Sequence, residues 1–240
     1  MNKRQRADKI LSNMGFGTRK EVKELIKAGA LEIDGVIIKD PGYQADPLQQ
    51  CIKVNNKELA YREFVYIMLN KPQGVVSATE DNRDATVIDL LSEELQAFQP
   101  APVGRLDKDT EGLLLLTNDG QLAHRLLSPK KHVPKTYFAH VQGSVGEEDV
   151  QAFQEGIVLD DGYKTLPGHL KVLVSGEISQ VEIVIYEGKF HQIKRMFQAL
   201  DKKVIYLKRV AMGDLKLDEG LITGEYRELT EEELNIFKEE

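Results

Sequence analysis

Three acidic side chains lie close together in residues 104–112, which read Gly-Arg-Leu-Asp-Lys-Asp-Thr-Glu-Gly. Asp107, Asp109 and Glu111 alternate along this stretch, and four consecutive leucines follow it. Asp and Gly at such spacing are also common in ordinary turns. An unbroken apolar run, however, is typical of a strand buried on both faces. The sequence therefore predicts carboxylates at the end of a rigid strand, where binding or catalysis is often carried out.

A calcium site is the first alternative for these carboxylates. Asp107, Asp109, Glu111 and Gly112 match the first half of an EF-hand loop. The last position of that loop requires a bidentate Glu, but Asn118 occupies it, and a leucine strand lies between. The chain also has one cysteine and five scattered histidines, which give no zinc-ligand spacing. We therefore expect no metal.

Length and composition limit the class of protein. The 240 residues suffice for one large domain, or for a small and a medium one. The chain has no apolar run of about 18 residues, so we expect no membrane-spanning helix. Its single cysteine, Cys51, excludes an intramolecular disulfide and fits a reducing cytoplasm, where we expect the protein to act.

The distribution of charge is more informative than the net charge of −7. Residues 1–30 contain eight Lys or Arg against three acids, and residues 189–209 contain seven against one. Residues 214–240 reverse this balance, with ten acids against three bases. Two basic patches of this kind are typical of proteins that bind the phosphates of nucleic acids.

The elements that must position these residues follow from apolar spacing. Two short helices are predicted near the N-terminus, the second with Thr18 and Glu21 as a capping box. Short strands with Gly or Asn turns follow. Further along, the pattern predicts a helix over 84–95 beginning near Thr86. It also predicts helices over 120–127, 147–155 and 191–200, and strands over 64–70, 136–141, 181–186 and 204–210.

The first 57 residues resemble the S4 RNA-binding domain. The resemblance depends on the helical pair, on Arg19-Lys20-Glu21 at the start of the second helix, and on residues 29–35, Gly-Ala-Leu-Glu-Ile-Asp-Gly. It implies recognition of RNA shape by exposed basic helices. By this resemblance, Arg6, Arg19, Lys20 and Lys23 are expected to contact RNA.

Three later motifs resemble, in order, those of the pseudouridine synthases. They are the Gly-Arg-Leu-Asp stretch at 104–107, the Pro-Lys…Lys-Thr-Tyr stretch at 129–137, and Glu-Gly-Lys-Phe-His-Gln-Ile-Lys-Arg-Met at 187–196. Together with the front domain they resemble the RsuA-type branch, which modifies ribosomal RNA. The resemblance implies an isomerase that converts one uridine of ribosomal RNA to pseudouridine, and the form of the 191–197 stretch favours the small-subunit 16S RNA.

This reaction needs no cofactor, because it breaks the N1–C1′ bond, turns the base and rejoins it through C5 without changing composition. It requires a carboxylate, an aromatic surface that retains the free base, and a cation that keeps the carboxylate ionised. The resemblance implies that Asp107 is the catalytic carboxylate and that Tyr137 stacks on uracil. Lys194 is the expected partner of Asp107, with Arg195 as the alternative. Whether Asp107 adds to C1′ or promotes a glycal route stays open.

The remaining basic and polar residues of the motifs are expected to hold RNA. Arg105 is predicted to grip phosphate or to help extrude the base, and Asp109 and Glu111 to stabilise the loop itself. The further RNA-binding candidates are Lys130, Lys135, Gln192 and Arg195.

Three other functions compete with this one. The same branch contains large-subunit enzymes, and an S4 domain on a degenerate enzyme fold would bind RNA without catalysis. A glycosidase would need two carboxylates roughly 5–9.5 Å apart across a sugar, which neighbours in one loop rarely achieve.

The sequence thus predicts an α+β protein. Residues 1–60 form a small S4-like domain, and residues 61–240 form a catalytic domain with a mixed, mostly antiparallel sheet and a central cleft. The expected partner is ribosomal RNA or an assembly intermediate of the ribosome. We expect no membrane association, no small-molecule cofactor, and a monomer.

Overall fold

The computed structural model describes residues 4–237, which divide into two compact units. One unit runs up to Val65 and also includes Leu91–Pro100, and the other comprises Tyr66–Leu90 and the chain from Ala101 onward. Among the described residues, no helix is both long and apolar enough to cross a membrane. The predicted boundary between residues 60 and 61 stays a prediction.

The first unit contains two short helices and two small antiparallel sheets. Its elements are β1 (Gln5–Arg6), α1 (Ala7–Asn13), α2 (Arg19–Lys27), β2 (Leu31–Ile33), β3 (Val36–Ile38), β4 (Gln44–Ala45), β5 (Ile52–Val54), β6 (Lys57–Glu58) and α3 (Glu93–Gln96). The larger sheet has the order β3-β2-β5-β6, and β1 pairs with β4.

Local sequence explains how α2 and the β2–β3 hairpin form. The predicted capping box is present, because Thr18 Oγ1 accepts from the Glu21 amide while Glu21 accepts from the Thr18 amide at 2.7 Å. Val22 and Ile26 are then fully buried on one face of α2. In the hairpin, Asp34 and Gly35 both have positive φ, as a two-residue turn of this kind requires. These predictions are confirmed.

The second unit is built on one large sheet. Its elements are β7 (Tyr66–Lys71), β8 (Ala101–Pro102), β9 (Glu111–Thr117), α4 (Gly120–Leu127), β10 (Lys135–Gln142), α5 (Glu147–Glu155), β11 (His169–Val174), β12 (Ile178–Ile185), α6 (Gln192–Gln198), β13 (Lys203–Met212), β14 (Leu215–Lys216), β15 (Tyr226–Glu228) and α7 (Glu231–Ile236). The sheet has the order β11-β12-β10-β13-β9-β7-β15, while β8 pairs with β9 and β14 with β13. Only the β9–β13 pair among those named is parallel, so the predicted mixed, mostly antiparallel sheet is confirmed.

The leucine run forms the centre of this sheet. Leu113, Leu114, Leu115 and Leu116 all lie in β9 and are fully buried. A strand with both faces buried cannot show the polar–apolar alternation of a half-exposed strand, which is why its residues are uniformly apolar. The acidic loop therefore leads into a fully buried strand of the sheet, as predicted.

The helix predicted over 84–95 is wrong. Thr86 instead forms a parallel bridge with Val76, and a helix is present only at Glu93–Gln96. The Asp89 carboxylate accepts hydrogen bonds from the Thr86 amide at 2.7 Å and from its hydroxyl at 3.0 Å. Such side-chain bonds offer the backbone an alternative to helical hydrogen bonding, which is why the apolar spacing misled the prediction.

Candidate active site

The loop that carries Asp107 is held by a buried lysine. Lys71, the last residue of β7, is fully buried, and its ammonium group donates to the carbonyls of Pro72, Asp107 and Thr110 at 3.0–3.1 Å. Burial lowers the pKa of Lys71 to about 8. Ser77 fixes the same loop, because its hydroxyl donates to the Leu106 carbonyl and accepts from the Leu106 amide. The backbone of residues 106–110 is therefore set by neighbouring strands and loops.

A close strand contact places the end of this loop. Gly112 pairs with Arg209 across the parallel β9–β13 contact and has a φ of +103°. A Cβ atom at this position would lie 2.2 Å from the Arg209 carbonyl oxygen. Only glycine fits such an approach, so Gly112 fixes where the acidic loop meets the sheet.

One lysine from α6 joins two of the acids. Lys194 Nζ lies 3.0 Å from Asp107 Oδ2 and 2.5 Å from Asp109 Oδ1. Burial opposes the charge of Lys194, but its hydrogen bonds to the two carboxylates prevail and raise its pKa. Likewise, burial acts to raise the pKa of Asp109, and the bond and charge of Lys194 outweigh it and lower that pKa. The site thus holds an ionised cation at neutral pH.

Asp109 and Glu111, the two acids expected to stabilise the loop itself, also bind residues outside the loop. Asp109 binds the cation from α6, 85 residues away in sequence. Glu111 accepts a hydrogen bond from the Tyr206 hydroxyl at 2.8 Å, which ties the start of β9 to β13. Both contacts are long-range, so no local pattern could have indicated them.

Asp107, Lys194 and Tyr137 line one small cavity of about 70 Å³. Tyr137 lies on β10 and is only 8% exposed. The His191 ring adds a further group, with its Nε2 atom 3.7 Å from Asp107 Oδ1. The structure therefore brings the three predicted catalytic residues together around one space.

Two larger cavities flank this space. One, of about 450 Å³, includes Asp107, Ser77 and the exposed ring of Phe190. The other, of about 500 Å³, includes Tyr137, Lys135 and Arg209. Arg105, Gly188 and Lys189 line all three cavities. The small cavity is thus part of a longer cleft with cations along it.

Two residues predicted to bind RNA are engaged within the protein. Gln192 is buried, donates from its amide nitrogen to Glu187 and accepts the Lys189 amide on its oxygen. Arg195 faces away from Asp107 and pairs with Asp160 and Asp161, which raise its pKa. Their contacts fix the 187–192 and 160–163 loops, and the expected contact of both residues with RNA stays a prediction. Lys194, rather than Arg195, pairs with Asp107.

The other predicted RNA-binding residues differ in their surroundings. Arg19, Lys20 and Lys23 are exposed on α2, opposite its buried face. Arg6 is also in the first unit, where it donates to Asp8 at 2.8 Å. Lys130 is exposed in a short 3₁₀ helix (Pro129–Lys131), and Lys135 is half-buried at the start of β10.

Sequence reasoning missed Lys71 and Arg209, which are both nearly or fully buried. A signal for each was present. Lys71 ends the strand that contains the apolar run 67–69, and Arg209 falls between Leu207 and Ala211 on the inward side of a two-residue alternation. A charged residue on an inward-facing position needs a partner or a ligand, so it marks a functional candidate.

Comparison with known proteins decides the family. The model for RNA pseudouridylate synthase matches residues 65–199, and the S4 domain model matches residues 5–47. The chain belongs to the RNA pseudouridine synthase family, in its RsuA-type branch. It is therefore an isomerase, and the function class predicted from the three motifs is confirmed.

Relatives of this pseudouridine synthase cover nearly its whole length. It is 54% identical over 235 residues to an uncharacterized RNA pseudouridine synthase of Bacillus subtilis, with 98% of each chain covered. It is 41% identical to ribosomal small subunit pseudouridine synthase A of Vibrio cholerae, covering 95% of this chain and 97% of the relative. It is 39% identical to ribosomal large subunit pseudouridine synthase B of Bacillus subtilis, covering 96% and 94%.

A solved structure supports the same fold. A crystal structure of a pseudouridylate synthase matches with a TM-score of 0.69 and 38% identity, covering 97% of this chain and 99% of the other. The α+β architecture with an S4 domain and a synthase domain is thereby confirmed.

Proposed function

We propose that this enzyme isomerises one uridine of ribosomal RNA, in the small-subunit 16S RNA, and that Asp107 is its catalytic carboxylate. The observation that carries the proposal is the convergence of Asp107, Lys194 and Tyr137 on one cavity. Support for ribosomal RNA comes from two relatives whose names give small- and large-subunit activities. Because one is a large-subunit enzyme at 39% identity, 23S RNA is the second candidate.

We propose one role for each residue of the site. Asp107 acts on the sugar or the base, as a nucleophile at C1′ or through a glycal, while Lys194 pairs with its carboxylate and holds it in place. Tyr137 stacks on the detached uracil and keeps it from diffusing away. The target uridine must leave its stack, which costs a few kcal/mol and least where the RNA is unpaired. We therefore propose an open RNA segment, accessible in the cytoplasm before ribosome assembly is complete.

The target is tested by mapping pseudouridines in 16S and 23S RNA from cells that lack this protein. One pseudouridine is expected to disappear from 16S RNA and to return with the wild-type gene. Loss of a 23S position instead would assign the second candidate, and an unchanged map in both RNAs would contradict the proposal. Purified enzyme should modify free RNA and assembly intermediates. Activity confined to mature subunits would contradict the assembly step.

The role of Asp107 is tested by Asp107→Asn. Pseudouridine formation should fall by at least about a thousandfold, since a catalytic carboxylate has no substitute, while the dissociation constant for RNA stays within about threefold. The matched control is Asp109→Asn, because Asp109 binds the same lysine but does not line the cavity. It should retain activity within about tenfold. Equal losses in the two variants would remove the special role of Asp107.

A further inference from the structure

A buried arginine in the cleft has a free donor. Arg209 is 3% exposed, and its Nε donates to the Leu113 carbonyl at 2.7 Å. Its Nη2 atom is buried and has no hydrogen-bond partner within the described residues. A buried guanidinium nitrogen without an acceptor is unfavourable, so an acceptor supplied by a ligand would satisfy it.

Arg209 lies on the wall of one cavity of the cleft. Arg209 on β13 lies directly opposite Tyr137 on β10 in the strand register, so the two side chains share one face of the sheet. Both line the cavity of about 500 Å³ beside the catalytic one. Arg209 therefore lies on the side of the cleft that contains Tyr137, in a cavity that Asp107 does not line.

A second cation in this cavity, the ammonium group of Lys135, also has no carboxylate partner among the described residues. Lys135 lines the same cavity and donates to the Val133 carbonyl at 2.6 Å. Burial lowers the pKa of Lys135, and the positive charge of Arg209 lowers it further. Neither side chain forms a salt bridge with a carboxylate in the described part of the chain. Glu187, the acid of this cavity, is engaged by the Tyr163 hydroxyl and the Leu166 amide.

Two cations on the wall of one cavity, without a carboxylate partner among the described residues, favour a bound anion. We propose that this cavity is a phosphate subsite, in which Arg209 and Lys135 bind the phosphodiester that adjoins the target uridine on the Tyr137 side. This proposal depends on the proposed function for the identity of the uridine. The planar donors of Arg209 bridge the Leu113 carbonyl and the phosphate, and thereby couple the position of the RNA backbone to β9 and its acidic loop.

The experiment is phosphate-ethylation interference on transcripts of 16S and 23S RNA. Ethylating one phosphate beside the target should weaken binding to the wild-type protein by roughly tenfold or more, the usual effect of losing a charge-assisted hydrogen bond. Arg209→Met should bind untreated RNA more weakly than the wild type by the same factor. Ethylating the phosphate should not weaken the binding of this variant further. The slope of log affinity against log salt should fall by about 1.

Controls separate this result from misfolding. Thermal unfolding shows whether Arg209→Met folds. If it does not, Lys135→Met tests the subsite, because it removes the second cation at a half-buried position and should remove the same interference. Lys171→Met, an exposed lysine of β11 outside the three cavities, should retain the wild-type pattern.

The outcomes also separate the two proposals. Interference patterns and affinities that Arg209→Met and Lys135→Met share with the wild type would overturn the subsite. An Arg209-dependent phosphate in an RNA in which the wild type forms no pseudouridine would preserve the subsite and overturn the proposed function. Pseudouridine formation without any Arg209-dependent phosphate would preserve the proposed function and overturn the subsite.

Discussion

At the scale of single residues, α6 presents two adjacent cations to different carboxylates. Lys194 binds Asp107 and Asp109, whereas Arg195 binds Asp160 and Asp161. Helical neighbours point about 100° apart, so only one of them can reach the acidic loop. The sequence placed both residues at the site but could not choose between them, because helical phase depends on how α6 packs.

This difference predicts unequal effects of two matched substitutions. Lys194→Met should lower the single-turnover rate by at least about a hundredfold, because it leaves two neighbouring carboxylates without a cation. Arg195→Met should lower it by less than about tenfold, since only the 160–161 loop loses its anchor. Single-turnover rates at saturating RNA measure both. A larger loss in Arg195→Met would reverse the assignment.

Lys71 predicts a dependence of stability on pH. Its pKa is about 8 in the folded protein against 10.5 in an exposed lysine, so the unfolded chain keeps its proton between these values while the native protein loses it. The free energy of unfolding contributed by Lys71 therefore rises from pH 8 to pH 10.5, by up to about 3 kcal/mol.

Denaturant unfolding of the wild type and Lys71→Met across this range measures the effect. The variant should be less stable throughout, since it leaves the carbonyls of Pro72, Asp107 and Thr110 without their donor. The gap between the two proteins should widen as pH rises. A constant gap would show that Lys71 keeps an ordinary pKa.

At the scale of elements, local patterns predicted what local interactions determine. The capping box of α2, the Asp34-Gly35 hairpin and the buried leucine strand were all readable, because each depends on residues near one another in sequence. The helix predicted over 84–95 failed where Asp89 bonds back to Thr86. Lys71 and Arg209 were missed because their roles depend on pairing between strands distant in sequence.

The β9–β13 contact predicts a costly glycine substitution. Gly112→Ala should destabilise the protein by about 2–5 kcal/mol, because it combines a positive φ with a 2.2 Å approach to the Arg209 carbonyl. Gly120→Ala is the matched control, since a Cβ atom there meets nothing within 4 Å. It should stay within about 1 kcal/mol of the wild type. Equal unfolding free energies for the two variants would contradict this account of Gly112.

At the scale of the whole molecule, the net charge of −7 conceals separate basic surfaces. Arg19, Lys20 and Lys23 are exposed on α2 in one unit, and Arg105 and Lys189 line the cleft of the other. Affinity for RNA depends on the phosphates that such groups neutralise rather than on total charge. An acidic protein can therefore bind RNA at two places.

The α2 surface predicts a change in salt dependence. Replacing Arg19, Lys20 and Lys23 together by Gln should weaken binding to ribosomal RNA and lower the slope of log affinity against log salt by about 3. A triple change at exposed lysines outside the cleft and the basic patches (Lys164, Lys171 and Lys216) alters net charge equally and should leave the slope within about 1 of the wild type. Filter binding across salt concentrations measures both, and equal slopes would show that α2 does not contact RNA.

The carboxylate of Asp107 and the ammonium group of Lys194 are 87 positions apart along the chain. During translation, residue 107 leaves the ribosome well before residue 194 is made. A nascent chain in that interval has the acid without its counter-ion, and it also lacks β13, which the acidic loop needs as a neighbour. The contacts that hold this loop can therefore form only after the segment through Met212 has been made, so the site assembles late in synthesis.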